Sequence, residues 1–229
     1  MTLTEYPDLV QGSDEWLEAR RGLVTASVVG KLITARTVKP ASNDDSRALT
    51  ALLVAERITG HVDPVYVNDD MMRGQLDEPV ARDLYSQHFA PVRESGFLVR
   101  SEPHWKLGYS PDGLVGDDGL IEIKSRRQKK HLQTILADEV PTENMGQLQA
   151  GLFVTGRAWI DYVSFCGGMP LYVKRVEPDE RWFDTIEWAA GLFEETAREM
   201  TKAYTAAVEG LPMTERTDLD GDIVFGVAA

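Results

Sequence analysis

Asp112, Glu122 and Lys124 lie within one short stretch of the sequence and combine two carboxylates with an amine. Only one residue separates Glu122 from Lys124, so on a β-strand both side chains point to the same face. Asp112 follows an apolar run, and the glycines between the two acidic residues allow the chain to fold back. We therefore expect Asp112 to lie beside Glu122, in a site for Mg²⁺ and a phosphodiester.

The chemistry expected of these groups is metal-assisted hydrolysis. Carboxylate oxygens suit Mg²⁺ or Mn²⁺ and not a soft metal. Asp112 and Glu122 would hold the ion, with the backbone carbonyl of Ile123 as an additional ligand. Lys124 would orient or deprotonate the attacking water and offset charge on the phosphate. The predicted cofactor is Mg²⁺, which Mn²⁺ can replace, and two ions are the expected number.

A Glu-x-Lys tripeptide alone is weak evidence, because exposed ion pairs of this kind are common. Here Ile121 and Ile123 are expected to face the core, which would leave the Glu122 face of the strand open. A basic segment follows directly, with five cations and no anion from Lys124 to Lys130. Its context favours contact with a nucleic-acid backbone over a solvated loop. The predicted DNA-contacting residues in it are Arg126, Arg127, Lys129 and Lys130.

A third carboxylate precedes this region. Glu78 follows Gly74 by four residues, in a segment that is helical by pattern. Acidic side chains are also favoured in the first turn of a helix by the helix dipole. The residue types alone therefore leave two roles open for Glu78: a ligand of the metal ion, or an acidic residue that stabilises the start of a helix.

The net charge of −13 is unusual for a protein that binds DNA, but the acidic excess is concentrated. Residues 177–222 contain thirteen acidic and four basic side chains, a balance of 4 − 13 = −9. The hydrophobic content of 43% is typical of a soluble globular protein. No apolar run approaches the roughly 20 residues of a membrane helix. The single cysteine, Cys166, suits a reducing compartment, so a cytoplasmic location is expected.

Hydrophobic periodicity predicts an α/β core of about five strands with helices packed around it. Short helices are expected after Ser13 or Asp14 and after Thr25, and a loop from Thr34 to Asp45. Longer helices are predicted over 46–59, 70–89, from Pro141 through Phe153, and over 179–209. Strands are predicted at Phe97 and Val99, then over 105–109, 120–124, 158–165 and 171–176.

These elements predict one nuclease domain over residues 1–229. It would comprise a helical N-terminal part over about 11–90 and a catalytic sheet core over about 95–176. A C-terminal helical arm over about 179–209 and a tail over 210–229 would follow.

Five motifs then occur in an order that resembles a known family. They are Gln11-Gly-Ser-Asp-Glu-Trp16 with Arg20, Gly22 and Thr25-Ala-Ser27; Gly74 with Glu78-Pro; Ser110-Pro-Asp112-Gly; Glu122-Ile-Lys124; and Met145-Gly-Gln147-Leu-Gln149. The chain resembles the lambda-type exonucleases, or YqaJ-like viral recombinases, of the PD-(D/E)xK nuclease superfamily. The likeness extends from about Gln11 to Phe165. It implies a restriction-endonuclease-like core with a central mixed sheet of about five strands.

The resemblance also implies roles for individual residues. Asp112, Glu122 and Lys124 would form the catalytic core, with Glu78 as a helix-borne member of the acidic site. Gln147 would direct its amide toward the metal or phosphate. Arg20 and Ser27 would bind the terminal 5′-phosphate, with Arg36 near it. The residue before Met145 and the loop from Ala35 to Asp45 differ from the lambda enzyme. The resemblance therefore says less about how the DNA end is bound than about the metal site.

The resulting hypothesis is a phage-type exonuclease that digests duplex DNA 5′ to 3′ from its ends and leaves 3′ single strands for recombination. The resemblance further implies a homotrimer, a phage single-strand annealing protein as partner, and action in the bacterial host cell without a membrane. Two alternatives remain open. One is a structure- or sequence-dependent endonuclease of the same fold, and the other is a non-catalytic scaffold that binds DNA ends.

Overall fold

The structure, a computed structural model, describes residues 2–64 and 68–216. The last part of the predicted tail, 217–229, lies outside the described residues. Across the described ranges we find no helix that combines the length and apolar character of a membrane-spanning segment.

Seven helices and ten strands are assigned within the described residues. The helices are α1 Asp14–Arg20, α2 Ala26–Val29, α3 Asp44–Thr59, α4 Asp69–His88, α5 Gln128–Ala137, α6 Thr142–Thr155 and α7 Glu180–Ala207. The strands are β1 Thr2–Tyr6, β2 Ile33–Thr34, β3 Lys39–Pro40, β4 Val92–Arg93, β5 Phe97–Ser101, β6 Lys106–Tyr109, β7 Gly113–Val115, β8 Gly119–Ser125, β9 Trp159–Phe165 and β10 Tyr172–Val176.

A five-stranded mixed sheet is the centre of the fold, with strand order β10-β9-β8-β7-β4. Strands β8 and β9 are parallel, and the other neighbouring pairs are antiparallel. A parallel pair needs a long crossover, which α5 and α6 provide. The predicted α/β class and mixed sheet of about five strands are confirmed.

Helices cover both faces of this sheet because its strands are apolar on both sides. Leu120 on β8 packs into a large core with residues of α3, α6 and α7. Ile121 and Ile123 point the other way, into a smaller core with Ala81 and Tyr85 of α4. The alternation along β8 thus fixes which face receives α6 and which receives α4.

Strands β1, β5 and β6 form a separate antiparallel sheet. Strand β6 had been expected to pair with β8 through a returning turn. Instead the turn region itself contains β7, whose Gly113 pairs with Ile121 of β8. Gly116 lies in the left-handed region, with φ 50°, in the tight connection between β7 and β8.

Several other local expectations were wrong. The segment from Thr34 to Asp45 is not a continuous loop, because it holds part of the β2–β3 hairpin and the start of α3. Strand β1 and helix α5 were not predicted at all. Residues of β1 are exposed on both faces, so its sequence carries no alternating pattern. Helix α5 begins within the basic segment, where charge obscured its period.

Candidate active site

The β7–β8 hairpin brings the two predicted carboxylates together. Because Gly113 pairs with Ile121, the preceding residue Asp112 reaches the level of Glu122. Asp112 Oδ2 accepts a hydrogen bond from the backbone N–H of Ile123, at 2.6 Å. Lys124 Nζ donates to Glu122 Oε1 at 2.7 Å. The three residues therefore share one edge of the sheet.

Glu122 is buried, contrary to the expectation that its face of the strand would stay open. Its exposed fraction is 1%. The Tyr109 hydroxyl donates to Oε2 at 3.2 Å, and both Lys124 and Gln147 donate to Oε1. Tyr109 packs beneath the site, while Gln147 reaches it from α6. These donors satisfy the carboxylate, which removes most of the penalty for burying it.

Burial and the crowding of negative charge together determine the electrostatics of the site. Burial, followed by repulsion from Glu122, raises the pKa of Asp112 well above its ordinary value. Burial opposes the charge of Lys124, but attraction from Glu122 and Asp112 outweighs it and raises the pKa of the ammonium. Lys124 is consequently a cation at neutral pH, suited to orienting water and offsetting negative charge.

Glu78 approaches the same site from α4. Its side chain interacts electrostatically with both Glu122 and Lys124. Burial raises the pKa of Glu78, Arg82 opposes this rise, and Glu122 adds to it. The carboxylate accepts a hydrogen bond from Arg82, one turn further along the helix. Glu78 lies more than two turns inside α4, so the first-turn reading is excluded.

Arg20 and Ser27 form a second polar cluster beside the first. Arg20 Nη2 donates to Ser27 Oγ and to Thr25 Oγ1, each at 3.3 Å. Its guanidinium stacks 4.0 Å from the centre of the Trp16 ring. Burial lowers the pKa of Arg20 to about 10, which leaves it charged at neutral pH. Thr25 precedes α2 as its N-cap residue, but its hydroxyl serves this cluster and not the helix.

Trp16 connects the two clusters. Its indole N–H donates to Ser110 Oγ at 2.9 Å, two residues before Asp112. The predicted phosphate-binding residues are thereby fixed next to the carboxylates. Sequence reasoning gave no role to Trp16, Tyr109, Ser110 or Arg82. Trp16 and Ser110 lie inside two of the motifs that resemble the family, and this position was the signal that could have identified them as site residues.

The residues of the basic segment have different surroundings. Arg126 directly follows the last residue of β8 and donates to Tyr162 and Asn144. Arg127 pairs with Asp70 at 2.8 Å, and Lys130 with Glu143 at 2.6 Å. Lys129 is exposed on the first turn of α5. Of these four residues, Arg126 thus lies nearest in the chain to Glu122 and Lys124.

Arg36 stands apart from the other predicted phosphate-binding residues. It is exposed in the turn between β2 and β3. Within the part of the chain that the structure describes, it forms no hydrogen bond with Arg20, Ser27 or the carboxylates. The structure does not bring Arg36 into either cluster.

The oxygen atoms around Asp112 fit a hard divalent cation by their chemistry. Ile123 donates its N–H toward Asp112, beyond the end of β7. The N–H and C=O of one strand residue point to the same side, so the Ile123 carbonyl is directed there too. Among the described residues, no three acidic, histidine or cysteine side chains are grouped closely enough to hold a metal ion. The oxygen atoms that could bind a cation belong to the carboxylates of Asp112 and Glu122 and to the Ile123 carbonyl, while Glu78 pairs with Arg82.

Comparison with known proteins shows which family and which fold this chain shares. The model of the YqaJ-like viral recombinase domain matches residues 15–158. The alkaline exonuclease LHK-Exo from Laribacter hongkongensis has a similar structure, with a TM-score of 0.77 and 31% sequence identity. The match covers 87% of this chain and 100% of that chain.

LHK-Exo in complex with dAMP matches equally well, with a TM-score of 0.77, 32% identity and the same coverage of 87% and 100%. A phage related exonuclease from Haemophilus somnus 129PT has a TM-score of 0.61 and covers 80% of this chain and 96% of its own. At 13% identity, that likeness shows the fold alone. The comparison with curated proteins yields no match.

Proposed function

Because this chain belongs to the YqaJ-like viral recombinase family and has the PD-(D/E)xK fold, we propose that it is a phage-type DNA exonuclease. It would require Mg²⁺ and digest one strand of duplex DNA from the 5′ end. The product would be a 3′ single strand that is available for recombination.

The observation that carries this proposal is the junction of the two clusters through Trp16 and Ser110. The Trp16 indole binds Ser110 on one side and stacks on Arg20 on the other. Asp112, two residues further along, carries the carboxylate of the hydrolytic site. A phosphate-binding cluster joined to the carboxylates in this way favours a strand end as substrate, because a terminal phosphate can bind Arg20 and Ser27 while the adjacent phosphodiester reaches the carboxylates.

The chain's own residues would divide the work as follows. Arg20 offers planar guanidinium donors, and Ser27 a hydroxyl, to the terminal 5′-phosphate. The Lys124 ammonium would orient water and offset charge on the scissile phosphate. Gln147 and Tyr109 would hold Glu122 in place through their hydrogen bonds. Arg126 would contact the backbone next to the cut.

The proposed reaction requires a divalent cation, because hydrolysis needs an activated water and the oxygen donors of the site suit such an ion. Asp112, Glu122 and the Ile123 carbonyl would hold it, with Glu78 as a further carboxylate. The cation would supply activation of water and neutralisation of the phosphate. Mg²⁺ is the expected ion, Mn²⁺ the expected substitute, and two ions the expected number.

The proposal is tested with linear duplex DNA labelled on one strand, in matched 5′-phosphorylated and 5′-hydroxyl forms. With Mg²⁺ we expect mononucleotides from the 5′-phosphorylated strand and slower release from the hydroxyl form. We expect no product with EDTA and no nicking of covalently closed circular DNA. Equal digestion from the 5′ and the 3′ ends would contradict the proposed 5′-to-3′ polarity, and nicked circles would indicate an endonuclease.

Lys124→Ala tests the site within the same assay. Loss of the ammonium removes a charge at the reacting phosphate, and we expect the rate to fall about 10²-fold or more. Arg93→Gln is a suitable control, since Arg93 is an exposed arginine that pairs with Glu5. Full activity of the Lys124 variant would exclude this assignment of the site.

The assembly is also a proposal. A homotrimer and a phage annealing protein are expected from the family resemblance, in the cytoplasm of a bacterial host. Light scattering after size exclusion would report the mass of the assembly, and a mass of one chain at micromolar concentration would contradict the trimer.

A further inference from the structure

Helix α4, which carries Glu78, has little apolar contact with the sheet beneath it. Of its 20 residues, only Ala81 and Tyr85 are buried. Hydrophobic burial therefore fixes its position weakly along most of its length. Polar contacts between α4 and the sheet therefore help to determine where the Glu78 carboxylate lies.

Arg82 makes the polar contact nearest to the site. Its Nε donates to the backbone carbonyl of Asp112 at 2.7 Å, and its Nη2 donates to Glu78 Oε1. The remaining Nη1 lies 3.0 Å from Glu94 Oε2. The Arg82 side chain is 14% exposed, whereas Glu94 is 75% exposed. The contacts to Glu78 and Asp112 are thus the sheltered ones.

These two sheltered contacts join the two elements that carry the acidic groups. Asp112 is held at its carbonyl by Arg82 and at its carboxylate by the N–H of Ile123. Glu78 is held at the same guanidinium. The spacing of Nε and Nη2 is fixed by the planar group, so the guanidinium sets the separation between the Glu78 carboxylate and the Asp112 backbone.

We propose that Arg82 is a positioning residue that presents Glu78 to a divalent cation held at Asp112 and Glu122. The inference rests on the proposed function, and it assigns Arg82 no contact with substrate. Arg82 offsets the charge of Glu78 while no cation is present and keeps the carboxylate beside the site. When a cation binds, Glu78 needs only a side-chain rotation to reach it, because α4 is already in place.

A purely structural role makes a different prediction. Glu78 and Arg82 are four residues apart on one helix, and such pairs also stabilise isolated helices slightly. If that were the whole role, Arg82→Lys would preserve it, since lysine also pairs with a glutamate at this spacing. A lysine amine cannot bind Glu78 and the Asp112 carbonyl through two fixed nitrogens.

The test measures Mn²⁺ affinity without DNA, by titration with detection of free Mn²⁺ by electron paramagnetic resonance. We expect Arg82→Lys to keep the melting temperature in EDTA near that of the unmodified protein and to weaken Mn²⁺ binding about 10-fold or more. Arg82→Gln should weaken it further, and Arg93→Gln should leave it unchanged. Unaltered Mn²⁺ affinity in a folded Arg82→Lys protein would overturn the proposal.

A double substitution identifies the route of the effect. If Arg82 acts through Glu78, Arg82→Lys should reduce the Mn²⁺ affinity by a smaller factor in a Glu78→Gln background than in the unmodified protein. Equal losses in both backgrounds would overturn the proposal. The proposed function fails in a distinguishable way: the unmodified protein would then bind Mn²⁺ but would not digest DNA. Absence of Mn²⁺ binding in the unmodified protein would also overturn the inference.

Discussion

At the scale of single residues, the site places Asp112 and Glu78 in surroundings that raise the pKa of both carboxyl groups. Burial and the negative charge of Glu122 both act on Asp112. A bound cation would oppose this rise in pKa, because it stabilises the ionised carboxylate. If the proposed cation binds there, the ionisation of Asp112 is coupled both to metal binding and to the free energy of unfolding.

The free energy of unfolding changes with pH because Asp112 binds its proton more tightly in the folded protein than in the unfolded chain. The pKa of Asp112 is raised in the folded protein, so its contribution to stability is fully present below about pH 4 and is lost as pH rises through the raised value. We expect the rise in melting temperature on adding Mn²⁺ in place of EDTA to be larger near pH 8 than near pH 5.5. Thermal scans in both solutions at each pH measure it.

Asp112→Asn is the control for that experiment. The amide cannot ionise, so the Mn²⁺-dependent rise should be smaller than in the unmodified protein and should change less with pH, with Glu78 as the remaining group whose pKa is raised. Carboxylates whose pKa values are lowered, such as Asp70 and Asp138, are ionised across the whole interval and do not contribute. A rise of equal size at both pH values in the unmodified protein would contradict the coupling.

The sequence predicted some residues of the site and not others for a physical reason. Asp112, Glu122 and Lys124 could be found because strand alternation and one hairpin relate them locally. Arg82 and Tyr109 could not, because their roles depend on the packing of α4 and β6 against β8. The burial of Glu122 was missed for the same reason, since α6 covers that face and supplies Gln147.

At the scale of elements, α6 packs unusually closely over the site. Nine of its fourteen residues are buried. A Cβ atom built on Gly151 would lie 2.8 Å from Cζ of Tyr109, whose ring is itself 1% exposed. The glycine thus allows the helix to approach the residue that supports Glu122.

Two glycine-to-alanine substitutions separate helix propensity from this close approach. Gly191→Ala, on α7, meets nothing within 4 Å and should raise the free energy of unfolding by about 0.8–1 kcal/mol. Gly151→Ala gains the same propensity but crowds Tyr109, and we expect a net loss of about 1–3 kcal/mol. Urea denaturation of both variants measures the difference. Stabilisation by Gly151→Ala would show that the helix can shift away.

Elements were predicted best where a long apolar period exists. Helices α3, α4, α6 and α7 agree with the predicted spans to within a few residues at each end. Strands β2, β3 and β4 contain two residues each, too few for any alternation to register. Strand β7 was interpreted as part of a turn because of Gly113, Gly116 and Gly119, although pairing with β8 makes residues 113–115 a strand.

At the scale of the whole molecule, charge is distributed unevenly. Helix α7 carries six acidic and three basic residues, and Glu187, Glu195 and Glu199 are exposed on it. The site contains the carboxylates Asp112, Glu122 and Glu78, but it also gathers the cations Arg20, Lys124 and Arg126. Acidic groups far from the site repel a DNA backbone at long range, while the local cations attract it at contact. The strength of the repulsion depends on ionic strength.

A triple substitution of Glu187, Glu195 and Glu199 to Gln tests this balance. Removing three negative charges should raise the association rate with a short 5′-phosphorylated duplex by about twofold or more near 10 mM salt. At about 200 mM salt the difference in rate should vanish, because dissolved ions then screen interactions between charges more than about 10 Å apart. Stopped-flow fluorescence with a labelled duplex in EDTA measures the rate without cleavage. Arg198→Gln with Lys202→Gln, on the same helix, should lower the rate at low salt. Equal rates for all three proteins near 10 mM salt would mean that α7 lies too far from the path of the DNA to act on it.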